Sequence, residues 1–269
     1  RSVALSDIDY GGQPAGYVGD PAEVVNYVEN HDNQTLFDAN VYKLPAGTPS
    51  ADRARVQVLA AAINAFSQGV AYFHAGIDTL RSKSLDRNSY DSGDWFNRID
   101  WSGQDNYFGT GLPPKPDNGR DYDLMRALLA NAAIRPSPTD IGFARDAFRD
   151  LLRIRASSRL FRLRSAAEIK ARLGFPNTGP AQNPVVQVGH LDGRGLDGAN
   201  FSELLYFINV DEKAQVISLP AQASKPWTLH PVHLDTSAAD PRPRQDAIHD
   251  RATGLFTVPP RTALVYVVN

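Results

Sequence analysis

The sequence predicts an α/β region followed by an all-β region, with the change near residue 163. Two short apolar runs, 24–28 and 70–75, lie on either side of a segment with helical spacing. This order predicts a right-handed crossover between two parallel strands. From residue 163 onward, short β-type runs alternate with Gly, Pro, Asn and Asp, which is typical of an antiparallel β-sandwich. We therefore expect two domains, 1–162 and 163–269.

The composition excludes several classes of protein. The 269 residues are 42% hydrophobic and 22% charged, and the net charge of -2 gives no reason to expect nucleic acid or an anionic membrane as partner. No apolar run approaches the ~18 residues of a membrane span. The sequence has no cysteine, which removes thiolate chemistry and cysteine metal sites and suits a secreted protein. The first residue is Arg1, from which we expect a processed or truncated chain.

The α/β region begins with a Gly- and Tyr-rich stretch, 1–20, which predicts a loop. Val24–Val28 predicts a strand that is buried on both faces of a parallel sheet, and a polar loop follows it to Ser50. Val70–Ala75 predicts the second buried strand. Between them, apolar residues recur at helical spacing and end at Gly69, which closes the predicted helix: Val56, Leu59, Ala60, Ile63 and Phe66.

A long loop, Gly76–Arg120, comes next. Its aromatic residues, interspersed with acids and arginines, argue against disorder, and loops this long inside a domain are usually functional. Helices are predicted at about Tyr122–Ile134, ended by Pro136 and Pro138, and at Asp146–Ser157. The arginines of the second helix predict a solvated face rather than a polyanion site: Arg145, Arg149, Arg153, Arg155 and Arg159.

The all-β region holds the runs Val185–Val188, Leu204–Val210, Val216–Leu219, Trp227–His230, Gly254–Val258 and Ala263–Val268. His230 and His233 are the only closely spaced histidines. In a strand-like context their spacing places them on opposite faces, so we expect no metal site there.

His31, Asp32 and Asn33 follow the first predicted strand after two polar residues, Glu29 and Asn30. In a (β/α)8 barrel the active site lies where strands end and βα-loops begin, so polar groups at this point face a ligand. The alternative is ordinary loop chemistry, in which such residues make Asx-turns. The three residues by themselves favour the loop interpretation.

Four further segments carry a family resemblance. They are Asp9–Tyr17, Val24–Leu36 with its His-Asp-Asn, Leu80–Ser84, and Ser89–Asp100, which reads Ser-Tyr-Asp-Ser-Gly-Asp-Trp-Phe-Asn-Arg-Ile-Asp. In these segments the sequence resembles the pullulanase and limit-dextrinase branch of the alpha-amylase superfamily, glycoside hydrolase family 13. The resemblance implies hydrolysis of alpha-1,6 linkages in pullulan, starch and limit dextrins with retention. It also implies that 1–162 is the last part of a catalytic (β/α)8 TIM barrel and that 163–269 is a C-terminal β-sandwich.

The resemblance also implies roles for individual residues. Asp32 matches the carboxylate that stabilises the transition state, while His31 and Asn33 match residues that bind sugar hydroxyls near the scissile bond. Asp94 and Arg98 match an Asp and an Arg that hold the next glucose, and Asn97 is a further candidate for substrate binding. We assign the aromatic residues Trp95, Phe96 and Trp101 to the core of their own loop.

Two catalytic groups of the family have no match. The nucleophile, an Asp in an Arg-x-Asp motif, and the Glu acid/base follow earlier barrel strands, and retaining hydrolysis needs both carboxyl groups. We therefore expect this chain to be inert alone and to require the missing N-terminal part of the enzyme beside an alpha-glucan substrate. The resemblance implies no cofactor for the chemistry. Calcium is common in relatives, but the sequence holds no ligand cluster of the EF-hand type.

Three alternatives to this hypothesis remain open. In the first, the chain is a carbohydrate-binding module without chemistry. In the second it is a structural sandwich protein, and in the third it is a segment of a relative that cleaves alpha-1,4 bonds or transfers glucans. The long loop Gly76–Arg120 argues against a structural protein, and the Asp91–Arg98 stretch favours the 1,6-specific branch.

Overall fold

The computed structural model describes residues 3–16 and 18–269, and its elements change from mixed to β-rich along the chain. The α-helices are α1 (Leu36–Lys43), α2 (Ser50–Phe66), α3 (Asp94–Asn97), α4 (Lys115–Asn118), α5 (Tyr122–Leu129), α6 (Pro138–Ser157), α7 (Ala166–Arg172), α8 (Pro231–Leu234) and α9 (Arg242–Asp246). The strands are β1 (Asp9–Tyr10), β2 (Gln13–Pro14), β3 (Val25–Asn26), β4 (Val70–Ala71), β5 (Leu173–Gly174), β6 (Val186–Asp192), β7 (Glu203–Asn209), β8 (Gln215–Ser218), β9 (Thr228–Leu229), β10 (Ile248–Asp250), β11 (Leu255–Val258) and β12 (Thr262–Val268).

Strands β3 and β4 form the predicted parallel pair, with Val25 opposite Val70, and α1 and α2 connect them. Both strands are shorter than predicted, and the expectation that they are buried on both faces is wrong. Val25 is 54% exposed and Val70 45% exposed. The physical reason is that the two strands pair only with each other among the described residues, so nothing covers their outer surface. The described residues form no closed barrel.

Other elements of the α/β region also differ from prediction. The first 20 residues are not all loop, because β1 and β2 pair as a hairpin. The structure also has a helix, α1, inside the predicted polar loop, and Thr35 caps it by accepting from the Asp38 N–H. Helix α6 begins eight residues before its predicted start. Pro138 is the first residue of that helix, and Ser137 and Asp140 form a capping box there.

The arginines of α6 do not all face solvent. Arg155 is partly buried and ties α6 to the end of α2 and the start of β4. Its Nη1 donates to the carbonyls of Ala65 and Ser67 at 2.7 and 2.8 Å, and its Nη2 donates to Gly69 O at 3.0 Å. The prediction of a purely solvated face is therefore wrong at this position, because helix α2 ends against it.

The all-β region contains a five-stranded sheet, in the order β5-β6-β7-β12-β9, and a three-stranded sheet, β10-β11-β8. Both are antiparallel, and the apolar residues between them form one core, which includes Phe207, Phe256, Leu264 and Tyr266. Every predicted β run overlaps a strand. The sequence analysis missed β5 and β10, which are short and partly exposed.

A second core joins the five-stranded sheet to helices α2 and α6. The Phe66 ring lies 5.2 Å from Phe161 and 5.4 Å from Tyr206 of β7. Aliphatic side chains from both regions complete this cluster, among them Leu59, Ile154, Leu204 and Val265. This core includes residues from both sides of residue 162. The domain boundary at that residue stays a prediction.

Two buried histidines lie beside this junction and each accepts a backbone hydrogen bond. The Val265 N–H donates to His233 Nε2 at 3.1 Å, and the Val232 N–H donates to His230 Nδ1 at 3.2 Å. Burial lowers the pKa of His230 to about 4 and that of His233 to about 3. His230 is the N-cap of the short helix α8 and His233 lies within it, so they are not on opposite faces of a strand as predicted, because Pro231 begins a helical turn there.

These histidines predict a loss of stability in acid. Unfolded imidazoles bind protons near pH 6.5, whereas the folded ones do so only near pH 4 and 3, so the unfolded state binds more protons in between. The free energy of unfolding should therefore fall as the pH is lowered from about 6.5 to 4. We expect His233→Gln, which keeps an acceptor but does not titrate, to flatten this dependence in denaturant titrations at several pH values. Exposed His31→Gln is the control, and equal slopes in both variants would contradict the prediction.

Candidate functional site

The loop after β3 presents the predicted catalytic carboxylate to solvent. The side chain of Asp32 is 70% exposed and that of His31 is 81% exposed, and Asp32 Oδ1 lies 3.5 Å from His31 Nε2. The Asx-turn in this loop is made by Asn30, whose Oδ1 accepts from the Asp32 N–H at 2.8 Å. Asn33 has a φ of 59°, in the left-handed region that Asn tolerates. The carboxylate of Asp32 is thus not consumed by the turn and is free to accept from a ligand hydroxyl.

Asp32 lines two neighbouring hollows, both of which are formed by polar residues. The first has a volume of about 120 Å³ and is lined by residues of five chain segments: His31, Asp32, His74, Arg81, Lys83, Asn88, Ser89, Tyr90 and Asn97. The second, of about 320 Å³, is lined by Asp32, Asn33, Arg87, Asn88 and Asp117. The structure therefore brings four of the predicted site residues, His31, Asp32, Asn33 and Asn97, around the loop that follows β3.

Asp94 is the first residue of the short helix α3, and Arg98 follows its last residue. No ion pair joins their side chains, both of which belong to the described part of the chain. The Arg98 guanidinium instead lies between two rings, 4.0 Å from the centre of Trp95 and 3.8 Å from that of Tyr107. Stacking on aromatic faces is a favourable alternative for guanidinium, and it leaves the exposed Asp94 carboxylate unpaired by Arg98.

Asn97 braces the loop on which Asp94 lies. Its Nδ2 donates to Ser89 O at 2.7 Å and to Gly93 O at 2.9 Å, while its Oδ1 accepts from the Ser89 hydroxyl at 2.9 Å. Arg81 Nη2 also donates to the Asn97 carbonyl at 2.7 Å. Both side-chain N–H donors are thus engaged, and one free acceptor position on Oδ1 is what Asn97 retains for a ligand.

A hydrogen-bonded side-chain pair that the sequence analysis missed connects the ends of β3 and β4. Glu29 Oε1 lies 2.9 Å from His74 Nδ1, and the Glu29 side chain is 1% exposed. Glu29 Oε2 accepts from the Leu36 N–H at 2.7 Å, which links the pair to the start of α1. Glu29 directly follows the first predicted strand and His74 lies near the end of the second, and those positions were the available signal.

The segment 80–86 forms the buried polar base of the first hollow. Asp38 is fully buried and accepts from the Ser82 hydroxyl at 2.5 Å and from the Lys83 N–H at 2.7 Å. Burial raises the pKa of Asp38 to about 6, although these hydrogen bonds act in the opposite direction. Burial likewise lowers the pKa of Lys83 and of Arg81, while nearby carboxylates partly restore them. The hollow therefore has cationic donors on one wall and the Asp32 carboxylate at its rim.

Residues 3–16 and 18–269 lack two further features. These residues hold no group of three or more His, Asp or Glu side chains able to bind a metal ion. No helix among them is long and apolar enough to cross a membrane.

Comparison with known proteins gives consistent matches. The family model described as alpha-1,6-glucosidases, pullulanase-type, C-terminal, matches residues 103–269. Pullulanase 1, chloroplastic, of Arabidopsis thaliana is 40% identical over 264 residues, which are 94% of this chain and 27% of the relative. Pullulanase of Klebsiella aerogenes is 43% identical over 187 residues, which are 70% of this chain and 17% of that protein.

Solved structures agree in fold. The crystal structure of PulA from Klebsiella oxytoca matches with a TM-score of 0.90 at 33% identity, over 98% of this chain and 25% of that one. The maltotriose complex of PulA from Klebsiella pneumoniae matches with a TM-score of 0.89 at 35% identity, over 98% of this chain and 28% of that one. This chain thus spans about a quarter or less of the length of these relatives.

Together, a parallel strand pair with a polar rim, an appended β-sandwich and these matches define the class of protein as part of a glycoside hydrolase. The chain belongs to the family of pullulanase-type alpha-1,6-glucosidases, and it corresponds to the C-terminal region of that family.

Proposed function

We propose that this chain supplies the sugar-binding and transition-state-stabilising part of an active site that hydrolyses alpha-1,6-glucosidic linkages with retention. The observation that carries the proposal is that the Asp32 side chain is exposed and lines both polar hollows. Family membership supports the reaction, and a relative solved with maltotriose supports an alpha-glucan as ligand. The substrates we propose are pullulan, limit dextrin and branched maltooligosaccharides.

Each residue at the rim has a proposed task. Asp32 accepts from a sugar hydroxyl whose hydrogen bond strengthens as the ring becomes oxocarbenium-like, so its contribution is concentrated in the transition state. His31 contacts a hydroxyl of the same ring, and Asn33 lines the neighbouring subsite. Asp94 holds the next glucose through its exposed carboxylate. Arg98 contacts the same glucose as Asp94, and Asn97 offers its remaining acceptor position.

The fold supports a larger assembly. We propose that β3 and β4 are the last two strands of a (β/α)8 barrel, that the barrel part ends at residue 162, and that the preceding part of the same enzyme covers their outer surface. Exposed apolar side chains support this, namely Val25, Tyr27, Ile63, Val70 and Tyr72, with exposed fractions between 40% and 54%. Proteins cover such faces and sheet edges because they otherwise associate nonspecifically.

The chain alone should therefore be inactive on pullulan. Retaining hydrolysis needs a nucleophilic carboxylate and an acid/base about 5–5.5 Å apart, and we propose that both lie on the missing part. We expect activity only when the chain is co-folded with the N-terminal part of the enzyme. Pullulan hydrolysis by the pure chain would contradict the proposed inactivity. A monodisperse monomer on size exclusion would contradict the proposal that the preceding part of the enzyme covers the outer surface of β3 and β4. Strong binding of maltotriose by the chain alone in calorimetry would favour a carbohydrate-binding module.

Asp94→Ala in the full-length enzyme should weaken substrate binding. Losing a hydrogen bond to a charged group costs about 1.5–3 kcal/mol, so we expect KM to rise about 10-fold or more while kcat changes little. Asp91→Ala, an exposed carboxylate in the same loop, is the matched control. A drop in kcat with an unchanged KM would instead place Asp94 in the transition state. Rates on pullulan and amylose would separate 1,6- from 1,4-specific chemistry.

A further inference from the structure

A buried lysine lies directly against the loop that carries Asp32. Lys83 is 2% exposed, and its Nζ donates to Asn33 O at 2.6 Å and to His31 O at 3.3 Å. These two carbonyls belong to the residues on either side of Asp32. A single ammonium group bonded to both holds the backbone of Asp32 in one place.

Little else among the described contacts holds this loop. His31, Asp32 and Asn33 are exposed, so packing of their side chains does not position the backbone. Asn33 is in the left-handed region, which costs free energy in a residue other than glycine. The Asn30 side chain supplies one bond, to the Asp32 N–H. The position of the carboxylate therefore depends on the two contacts from Lys83.

Lys83 is itself held on several sides. Its backbone N–H donates to Asp38 Oδ2 at 2.7 Å, and the Asp38 N–H donates to Thr35 Oγ1 at 3.1 Å, which ties Lys83 to the first turn of α1. The Ser82 N–H donates to Asn106 O at 2.9 Å, and the Ser84 hydroxyl donates to Gly111 O at 2.6 Å. The lysine thus has a rigid base from which its side chain reaches the loop.

The backbone around Lys83 is strained. Leu80, Ser84 and Leu85 all have positive φ, at 57°, 53° and 69°. Such conformations persist only where the surrounding structure over-determines them, and they cluster at functional sites. Here they place the Lys83 side chain of one loop against two backbone carbonyls of another loop, at the wall of the first hollow.

We propose that Lys83 is a positioning residue that holds Asp32 in the geometry needed for transition-state stabilisation. The proposal rests on the role given to Asp32 above. Lys83 acts through backbone carbonyls and touches no reacting atom, so its effect on the reaction passes through Asp32. A lysine that served only to neutralise Asp38 and Asp86 would stabilise the fold without this dependence.

A double-mutant cycle in the full-length enzyme tests the dependence. Lys83→Met keeps the aliphatic stem but removes the donors, and misplacement by about 1 Å is enough to cost 10²-fold in rate. We expect kcat to fall about 10-fold or more with a smaller change in KM. In an Asp32→Asn background the same substitution should have little further effect, because the group it positions is already lost. Lys170→Met, on an exposed lysine of α7, is the matched control.

Two further measurements keep the test decisive. Hydrogen exchange at residues 31–35 should speed up in Lys83→Met, while exchange in α2 stays unchanged. Lys83→Arg keeps charge and donors but cannot place them at the same point, so its loss of kcat should be smaller and again absent in the Asp32→Asn background. Lys83→Arg also serves as the test variant if Lys83→Met does not fold.

The outcomes separate this proposal from the proposed function. Wild-type kcat in Lys83→Met, or an equal loss of kcat with and without Asp32, would overturn the role of Lys83. If Asp32→Asn alone leaves kcat unchanged, the proposed function fails instead. Rapid exchange spread over the whole protein would assign Lys83 a structural role only.

Discussion

Asp32→Asn in the full-length enzyme is expected to lower kcat by about 10²-fold or more while KM changes far less, as for other groups that stabilise charge in the transition state. The substitution keeps the shape of the side chain but removes the negative charge. Because this side chain is 70% exposed and makes no turn contact, we expect the fold to be unaffected.

The measurement is steady-state kinetics on pullulan, with Asp123→Asn as the control. Asp123 lies on α5 with a side chain that is fully exposed, so neutralising it should change neither constant. An Asp32→Asn enzyme that differs from wild type only in KM would show that the carboxylate binds the ground state and transition state equally. The role proposed for it would then be wrong.

Gly189→Ala should strongly destabilise the β-sandwich. Gly189 of β6 lies opposite Tyr206 of β7, and a Cβ at Gly189 would lie 2.1 Å from Tyr206 Cζ. The ring cannot move away, because Tyr206 is 4% exposed and packs 5.4 Å from Phe66. Overpacking of this kind costs about 1–3 kcal/mol of unfolding free energy, and we expect the upper end of that range.

Gly142→Ala is the matched control and should have the opposite sign. Gly142 is in the interior of α6, and an added Cβ meets nothing within 4 Å. Replacing a helical glycine by alanine stabilises by roughly 0.5–1 kcal/mol. Thermal unfolding of the full-length protein measures both. A smaller cost of Gly189→Ala in a Tyr206→Leu background would assign the effect to the ring, whereas an unchanged cost would assign it to the backbone.

Part of the site could be predicted from the sequence because its signals are local. A short apolar run that is followed after two polar residues by His31 and Asp32 indicates a strand end with a polar rim. In the structure, Asp32 of this loop lines two hollows. The contacts of Arg98 could not be predicted in this way, and its role in sugar binding stays a prediction. Its guanidinium stacks on Trp95 and on Tyr107, a residue outside the motif.

The sequence by itself determined the change from an α/β to an all-β region, the parallel pair β3 and β4, and six of the eight strands from β5 to β12, since those depend on local periodicity and turn chemistry. The tertiary structure alone decided which long-range contacts form. Lys83 sits in a run of small and charged residues, and nothing in that run indicates a buried ammonium group bonded to carbonyls of a loop 50 residues away. Such contacts follow from where distant segments meet, and the cost of leaving a buried charge or carbonyl unpaired is what selects them.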